Sequence, residues 1–526
     1  MRSNSVDKHQ NGSSQHQIHK SMKKKIFTLF MLFLAASSGC KKLEVNPSDA
    51  ISTGTLVTTN DGLTNALNGA YALLKDHIAF NGTVDNNNMY LRQFYQLSDF
   101  ASDDVTCGQI TEDPLFNSFT LGHSPSQSNT RYFWYVSYKI ITGVNTVIDA
   151  VEKLPDPDEK TKQLLGECYF LRAFCHFNLV RLFGQPYSIA PDAPGIILRT
   201  NLTDESQKAR SSVAEVYASV IADAEQAAGL MTQSRGVQYA SAEAAWGLLA
   251  RVNLYKEDNA KAIEYANKVI NSGRFELTTT STYPALFANA TTSRETIFCI
   301  AFTAADDYGK FGSIASMIYS DGNSGWGEEF ASSSLRAAMA AHPEDVRWSY
   351  IVPSKDASGT VQKKNGIEMY YITKFSFQNG QPNLSSPIMF RLAEMHLIRA
   401  EAEAKTGATA AALDDLDMIR KNRGLEASLY NKTLPQGSNA LDLVLAEKRI
   451  EMAFEGHRTY DVFRNKRSLN KNYWGYHILG LKETDIDLAK TPSGYQNLSV
   501  PYTSPRIIYY LPVDEILSNS KAIQNP

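Results

Sequence analysis

Residues 162–186 read KQLLGECYFLRAFCHFNLVRLFGQP. At 3.6 residues per turn this is a helix of about six turns. Leu164, Leu171, Phe174, Phe177, Val180 and Phe183, with their apolar neighbours, cover nearly the whole circumference. A helix that is hydrophobic almost all round must be enclosed by other elements. Arg172 and Arg181 are the charged exceptions, and a guanidinium is the charge most readily buried when paired. Gly184 is expected to be a left-handed residue closing the helix, and Pro186 cannot continue it. The stretch therefore predicts the central helix of a mainly helical protein.

On the N-terminal side, Arg131 to Leu154 is amphipathic, with Tyr135, Tyr138, Ile141, Asn145 and Ile148 stepping by three or four. Pro155 and Pro157 end it, so the two helices form an αα-hairpin. Earlier still, Asn60 or Asp61 is expected to cap a helix through His77. Tyr90 to Phe100 reads as a helix, and Ala101 to Pro125 as a long polar loop around Cys107.

On the C-terminal side the hairpin pattern recurs. Ser211 is expected to cap Val213 to Leu230, and Ser241 to cap Ala242 to Tyr255, with Ala260 to Ile270 after a short turn. The last two resemble a tetratricopeptide-type unit. Met389 to Lys405 and Ala408 to Asn422 form another pair, and Leu441 to Ala453 a further helix. Between these pairs, about residues 275–387, periodicity fades and Thr, Ser, Gly, Asn and aromatics rise. Glu295 to Phe302 and Tyr370 to Phe377 read as short strands, and residues 319–330, YSDGNSGWGEEF, as a glycine-rich loop. The expected fold is mainly α: a tetratricopeptide-like helical-hairpin scaffold with a large loop-rich insertion containing short strands. Its parts are a leader and signal peptide at 1–39, a lipidated tether at 40–59, scaffold at 60–274, a ligand-binding insertion at 275–387, and scaffold and tail at 388–526.

A chain of 526 residues exceeds the size at which one core stops growing. With 43% hydrophobic and 20% charged residues it has the composition of a folded soluble protein. A net charge of −3 gives no bias toward nucleic acid, and none is expected as a partner. From Met22 a basic run (Lys23, Lys24, Lys25) precedes an apolar run, Ile26 to Ala36, too short to span a bilayer. This fits a secretory signal. Ser37, Ser38 and Gly39 lead into Cys40, an arrangement like a bacterial lipobox, where the thiol is acylated. Cys107, Cys168, Cys175 and Cys299 show no metal-ligand spacing and read as buried thiols.

Four stretches together resemble the SusD/RagB family of outer-membrane lipoproteins. They are the Cys40 signal, FLRAFCHFNLVRLFGQP at 170–186, MFRLAEMHLIRAEAEAKTG at 389–407 and LAEKRIEMAFEGHRTYDVFRNKR at 445–467. The terminal YYLPVDEILSNSKAIQNP is similar to the family's ending. The resemblance implies a lipid-anchored outer-membrane protein that captures oligosaccharide and partners a TonB-dependent transporter of the SusC type. A tetratricopeptide-type scaffold that binds a protein and no sugar is the alternative class.

Two kinds of chemistry stand out. Glu447, Glu451 and Glu455 are spaced by four beside Lys448, Arg449 and Arg458, which reads as a structural ion network. Asp85, Asp103, Asp104, Glu328 and Glu329 are loop carboxylates, but no hydrolase, zincin or nucleotide motif surrounds them, and no enzyme activity is expected. Sugar recognition instead needs flat rings for apolar faces and amides or acids for hydroxyls. Trp326 with Tyr319, Asp321 and Asn323 supplies that mixture on one loop, and Tyr90 with Asp85 and Asn88 on another. No cofactor is expected, though a structural Ca²⁺ is compatible with the loops.

Overall fold

Asp158 starts the central helix: its side chain accepts the Thr161 N–H at 2.7 Å. The computed structural model describes residues 59–109, 117–472 and 497–526, within a compact unit that runs from Leu56 to Pro526. Cys40, the leader and the tether lie outside the described residues.

In chain order the main elements begin with α1 (Asn60–Ala72), α2 (Tyr90–Asp99), β1 (Val105–Cys107), α3 (Ser128–Glu152), the central α4 (Glu159–Phe183) and α5 (Val213–Leu230). Then come α6 (Ala242–Tyr255), α7 (Asn259–Ile270), β2 (Thr296–Cys299), β3 (Glu329–Ala331), β4 (Ile351–Pro353), β5 (Tyr370–Ile372) and β6 (Ile388–Arg391). The chain ends through α8 (Leu392–Lys405), α9 (Thr409–Lys421), α10 (Ala440–Glu451), α11 (Arg458–Arg464), β7 (Leu469–Asn472), β8 (Asn497–Val500) and α12 (Val513–Ser518).

The expected helical scaffold is present. Phe170, Phe174, Phe177 and Phe183 of α4 are all fully buried, each contributing roughly 1.5–3 kcal/mol. Helices α3, α5 and α6 pack around α4. Arg172 is paired as expected, forking onto Asp223 at 2.7 and 2.8 Å. Arg181 is held differently: it stacks on Tyr460 and Phe177 at 4.4 and 5.0 Å. Several caps differ from expectation. Thr59, not Asn60 or Asp61, caps α1, which ends at Ala72. Ser212, not Ser211, caps α5, in a reciprocal box with Glu215. Gly184 is extended, with φ −113°, rather than left-handed. There the chain lies tight against Val180 and Val213, and a Cβ would force them to give by a few tenths of an ångström.

Helices α7 and α8 pack against each other although some 120 residues of sequence separate them. The insertion therefore leaves and rejoins the scaffold at one place. Strands β2 and β6, antiparallel, close its base. The region 101–107, expected as a polar loop, is buried, because β1 pairs with β3 of the insertion. All four cysteines in the described residues are buried and unbridged. Among the described residues no helix is long and apolar enough to cross a membrane.

The carboxylates of the 447–455 segment form the expected ion network, but their partners come from elsewhere. Arg347, Arg391, Arg420, Arg423 and Lys374 neutralise Glu447, Glu451 and Glu455. Lys448 instead meets Glu401 and Asp461, and Arg449 and Arg458 meet Asp103. Sequence proximity misleads here because Glu447, Lys448 and Arg449 point to different sides of α10 and Arg458 belongs to α11.

Candidate functional site

Among the sequence-predicted residues, Trp326 is the aromatic most open to solvent, 47% exposed. It stands between two glycines in left-handed conformations, Gly325 at φ +77° and Gly327 at φ +63°. The N–H groups of Trp326 and Gly327 both donate to the Ser316 carbonyl oxygen, which pins the loop beneath the ring. Phe311, 48% exposed, meets the Trp326 ring edge-on at 5.6 Å. Tyr319, half-buried, packs against exposed Phe377 at 5.2 Å and against Tyr371 at 5.8 Å. The result is a shelf of exposed rings on a braced backbone. Exposed aromatics gathered in this way mark binding surfaces more than packing.

Polar groups edge the shelf. Asp321 Oδ1 accepts the N–H groups of Asn323 and Ser324 at 2.9 and 2.6 Å. Those N–H groups, Ser324 first, hold its carboxyl below the usual range, so it stays an anion. Asn323 is exposed, and its side chain faces no described partner.

The second predicted group divides. Asp85 is exposed in the loop 78–88, where its Oδ1 accepts the Asn87 N–H at 2.7 Å. Tyr90 and Asn88 are not ligand residues. Tyr90 is 0% exposed, tilts against Phe133 at 4.8 Å and takes a hydrogen bond from Asn178 at 3.0 Å. Asn88 Nδ2 donates to the carbonyls of Ile78 and Thr83, closing the loop from inside. The physical reason is that α2 begins at Tyr90 and is buried along its whole length, so the polar run before it ends in the core.

The structure sets the predicted 78–88 loop beside the turn that carries Phe311. Arg92 donates to the carbonyls of Phe311 and Ser313, and His77 Nε2 lies 3.2 Å from the Gly312 carbonyl oxygen. Asn86 Oδ1 stands 3.6 Å from where a Cβ on Gly312 would be. Asp85 thus sits in a loop that abuts the Phe311 end of the shelf. Phe311 and Phe377 were not predicted. Phe311 sits among small and polar residues, a weak signal, and Phe377 ends the expected strand Tyr370 to Phe377, where its alternation with Phe375 reads as strand packing.

Three of the remaining loop acids are engaged in ion pairs, while Glu329 is buried with neither oxygen partnered among the described residues. Asp103 meets Arg458 and Arg449, Asp104 meets Arg449, and Glu328 meets Lys364. Among the described residues no group of three or more His, Cys, Asp or Glu side chains is placed to hold a metal ion.

Gly325 sets the shelf's geometry. A methyl there would run into the Tyr319 carbonyl oxygen, and the left-handed backbone costs a substituted residue roughly 1–2 kcal/mol more. Gly325→Ala is expected to displace the loop and reduce the near-ultraviolet circular dichroism of Trp326 while helix content stays unchanged. An unaltered spectrum, with unaltered stability, would show that the loop is not held as described.

Fold and shelf define a class: a helical-repeat scaffold presenting exposed aromatic rings on an inserted loop. Residues 43–254 match the family described as starch-binding associating with outer membrane, and residues 301–526 match the SusD family. SusD-like protein P2 from Formosa agariphila is 30% identical over 495 residues, covering 84% of this chain and 91% of that protein. A SusD superfamily protein from Bacteroides thetaiotaomicron superposes with a TM-score of 0.76 at 27% identity, over 89% of this chain and 100% of that one. A SusD-like carbohydrate binding protein from Bacteroides vulgatus shares the fold, with a TM-score of 0.71 at 21% identity over 88% and 97%. The chain belongs to the SusD/RagB family, as its four motif stretches implied.

Proposed function

We propose that this protein binds oligosaccharide on the Phe311–Trp326 shelf and passes it to a TonB-dependent transporter of the SusC type. It acts there as a lipoprotein held on the outer membrane through Cys40, without catalysis and without a cofactor. The observation that carries this reading is the perpendicular pair of exposed rings braced by Gly325 and Gly327. A pyranose has a flat apolar C–H face and a rim of hydroxyls. Trp326 offers an apolar plane of the right kind, and Asp321, Asn323 and Asp85 offer acceptors and amides at its edge. The family's outer-membrane description supports the location. Acylation at Cys40 with two or more chains would anchor the protein firmly without a spanning helix.

The test is a glycan array on the mature protein, followed by calorimetry on the best neutral oligosaccharide. Truncating a central aromatic anchor typically costs at least 2 kcal/mol, so Trp326→Ala is expected to weaken binding about thirtyfold. Unchanged affinity would reject the shelf assignment. A blank array together with tight binding of a peptide would favour the protein-interaction alternative.

A further inference from the structure

The loop 78–88 has a second side. Phe80 and Asn81 face a groove of about 990 Å³ bounded by α3, the segment 197–206 and α12. None of its lining residues belongs to the shelf. Its size is that of a small-molecule site. The Tyr135 ring projects into it, 36% exposed, and tilts against Phe80 at 5.2 Å. Tyr135 belongs to the series that steps by three or four along α3, yet the structure leaves it exposed while Ile141 and Ile148 are buried. Trp134 and Tyr138, 4.9 Å apart, form the base.

The polar lining is charge-balanced: Arg131, Lys139 and Arg199 face Asp204, Asp514 and Glu515. Most of these groups are already engaged. Arg131 forks onto Asp514 at 2.6 and 2.7 Å. Asp204 accepts from Lys208 and from the Thr200 N–H. Glu515 accepts from Trp134 Nε1 and Asn519. The Tyr135 hydroxyl and the Lys139 ammonium have no hydrogen-bond partner among the described residues, and Lys139 lies 5.8 Å from the Tyr135 ring centre. Arg199 already donates to the Glu205 and Ser206 carbonyls. An anionic ligand would find Lys139 without a hydrogen-bond partner among the described residues, but in the same lining Glu515, which has no cation partner there. An extended peptide would find no strand edge, because the Ile197 and Arg199 carbonyls are bonded to Tyr138 and Asn145. A neutral polyhydroxylated ring fits what remains: an aromatic face, a free hydroxyl, an ammonium donor and exposed Asn81 and Asn201 at the mouth.

We propose that this groove is a second carbohydrate site, taking a neutral pyranose unit stacked on Tyr135. It shares its ligand class with the function proposed above, but its residues are separate. The experiment is calorimetry on the mature protein with maltohexaose, xylohexaose and mannohexaose as probes. Wild-type protein is expected to bind two molecules of at least one probe. Tyr135→Ala should weaken one of the two sites at least tenfold, and Tyr135→Phe should keep both. Gly143→Trp provides an independent block, since a side chain at Gly143 meets open space in the groove lining. If Trp326→Ala removes one site and Tyr135→Ala removes the other, both readings stand. If Tyr135→Ala and Gly143→Trp leave binding intact, the groove proposal is overturned while the shelf survives. If Tyr135→Ala removes all binding and Trp326→Ala none, the shelf falls and the groove stands. Absence of binding by every probe overturns the groove proposal.

Discussion

Arg391→Ala should lower the protein's stability by about 3–5 kcal/mol, the loss typical when one partner of a buried ion pair is removed. Arg391 is fully buried. Its Nη1 donates to Glu295 at 2.8 Å and to Glu451 at 2.6 Å, its Nε to Glu455 at 2.8 Å, and its Nη2 to the Glu451 carbonyl at 2.7 Å. Around it, the acids Glu295, Asp345, Glu447, Glu451 and Glu455 face the bases Arg347, Lys374, Arg391, Arg420 and Arg423. The cluster is balanced, so removing one cation strands carboxylates where water cannot reach them. Arg391→Lys restores the charge but not the planar fork and should recover only part of the loss. Urea denaturation of the two variants and wild type measures this. A midpoint for Arg391→Ala equal to that of wild type would mean the network contributes nothing net.

The place of this cluster explains the size of the effect. Glu295 precedes β2, Asp345, Arg347 and Lys374 lie in the insertion, Arg391 ends β6, and Glu447 and Glu451 belong to α10. The network therefore fastens the insertion, which carries the shelf, to the scaffold. Loosening it should raise proteolytic sensitivity within the insertion before the helices melt.

The scaffold could be read from residues 162–186 and the hairpins around them because helical periodicity is local: each turn reports its own surroundings. The shelf could be read only in part. Trp326 is flagged by its glycines, since a large ring between two flexible residues on a loop has few structural reasons to be there. Tyr90 shows the opposite failure. The polar run Asp85 to Asn88 looks like open loop, yet the helix it leads into is buried along its whole length, between α3 and α4 on one side and the insertion on the other. The partners of Glu451 were invisible for a related reason. They come from residues far away in the chain, and no local spacing records which distant arginine reaches a given acid. The groove beside Tyr135 is likewise assembled from four separated segments.

Acidification should unfold the protein steeply below about pH 4, where ordinary Glu side chains in an unfolded chain take up protons. Burial alone would raise Glu451, but Arg423 and Arg391 more than reverse it and hold the carboxyl well below the usual range. Glu401 is likewise pushed up by burial and brought well below by Arg464 and Lys448. Glu447 and Glu455 are lowered in the same way. The stability these groups contribute is fully present above the unfolded value and is lost as pH falls through their folded values. Glu329 has the opposite sign. Burial, then Glu328, raises it well above the usual range, and neither of its oxygens has a partner among the described residues. Its contribution is present at low pH and is lost as pH rises through its raised value. Glu403, pushed up by burial and then by Asp415 to about 7, adds to that decline. Stability should therefore peak at mildly acidic pH, and Glu329→Gln should flatten the alkaline side while leaving the acid side unchanged. Urea midpoints across the pH range separate the two limbs. An acid limb no steeper in wild type than in Glu451→Gln would remove the arginine-held carboxylates as its cause.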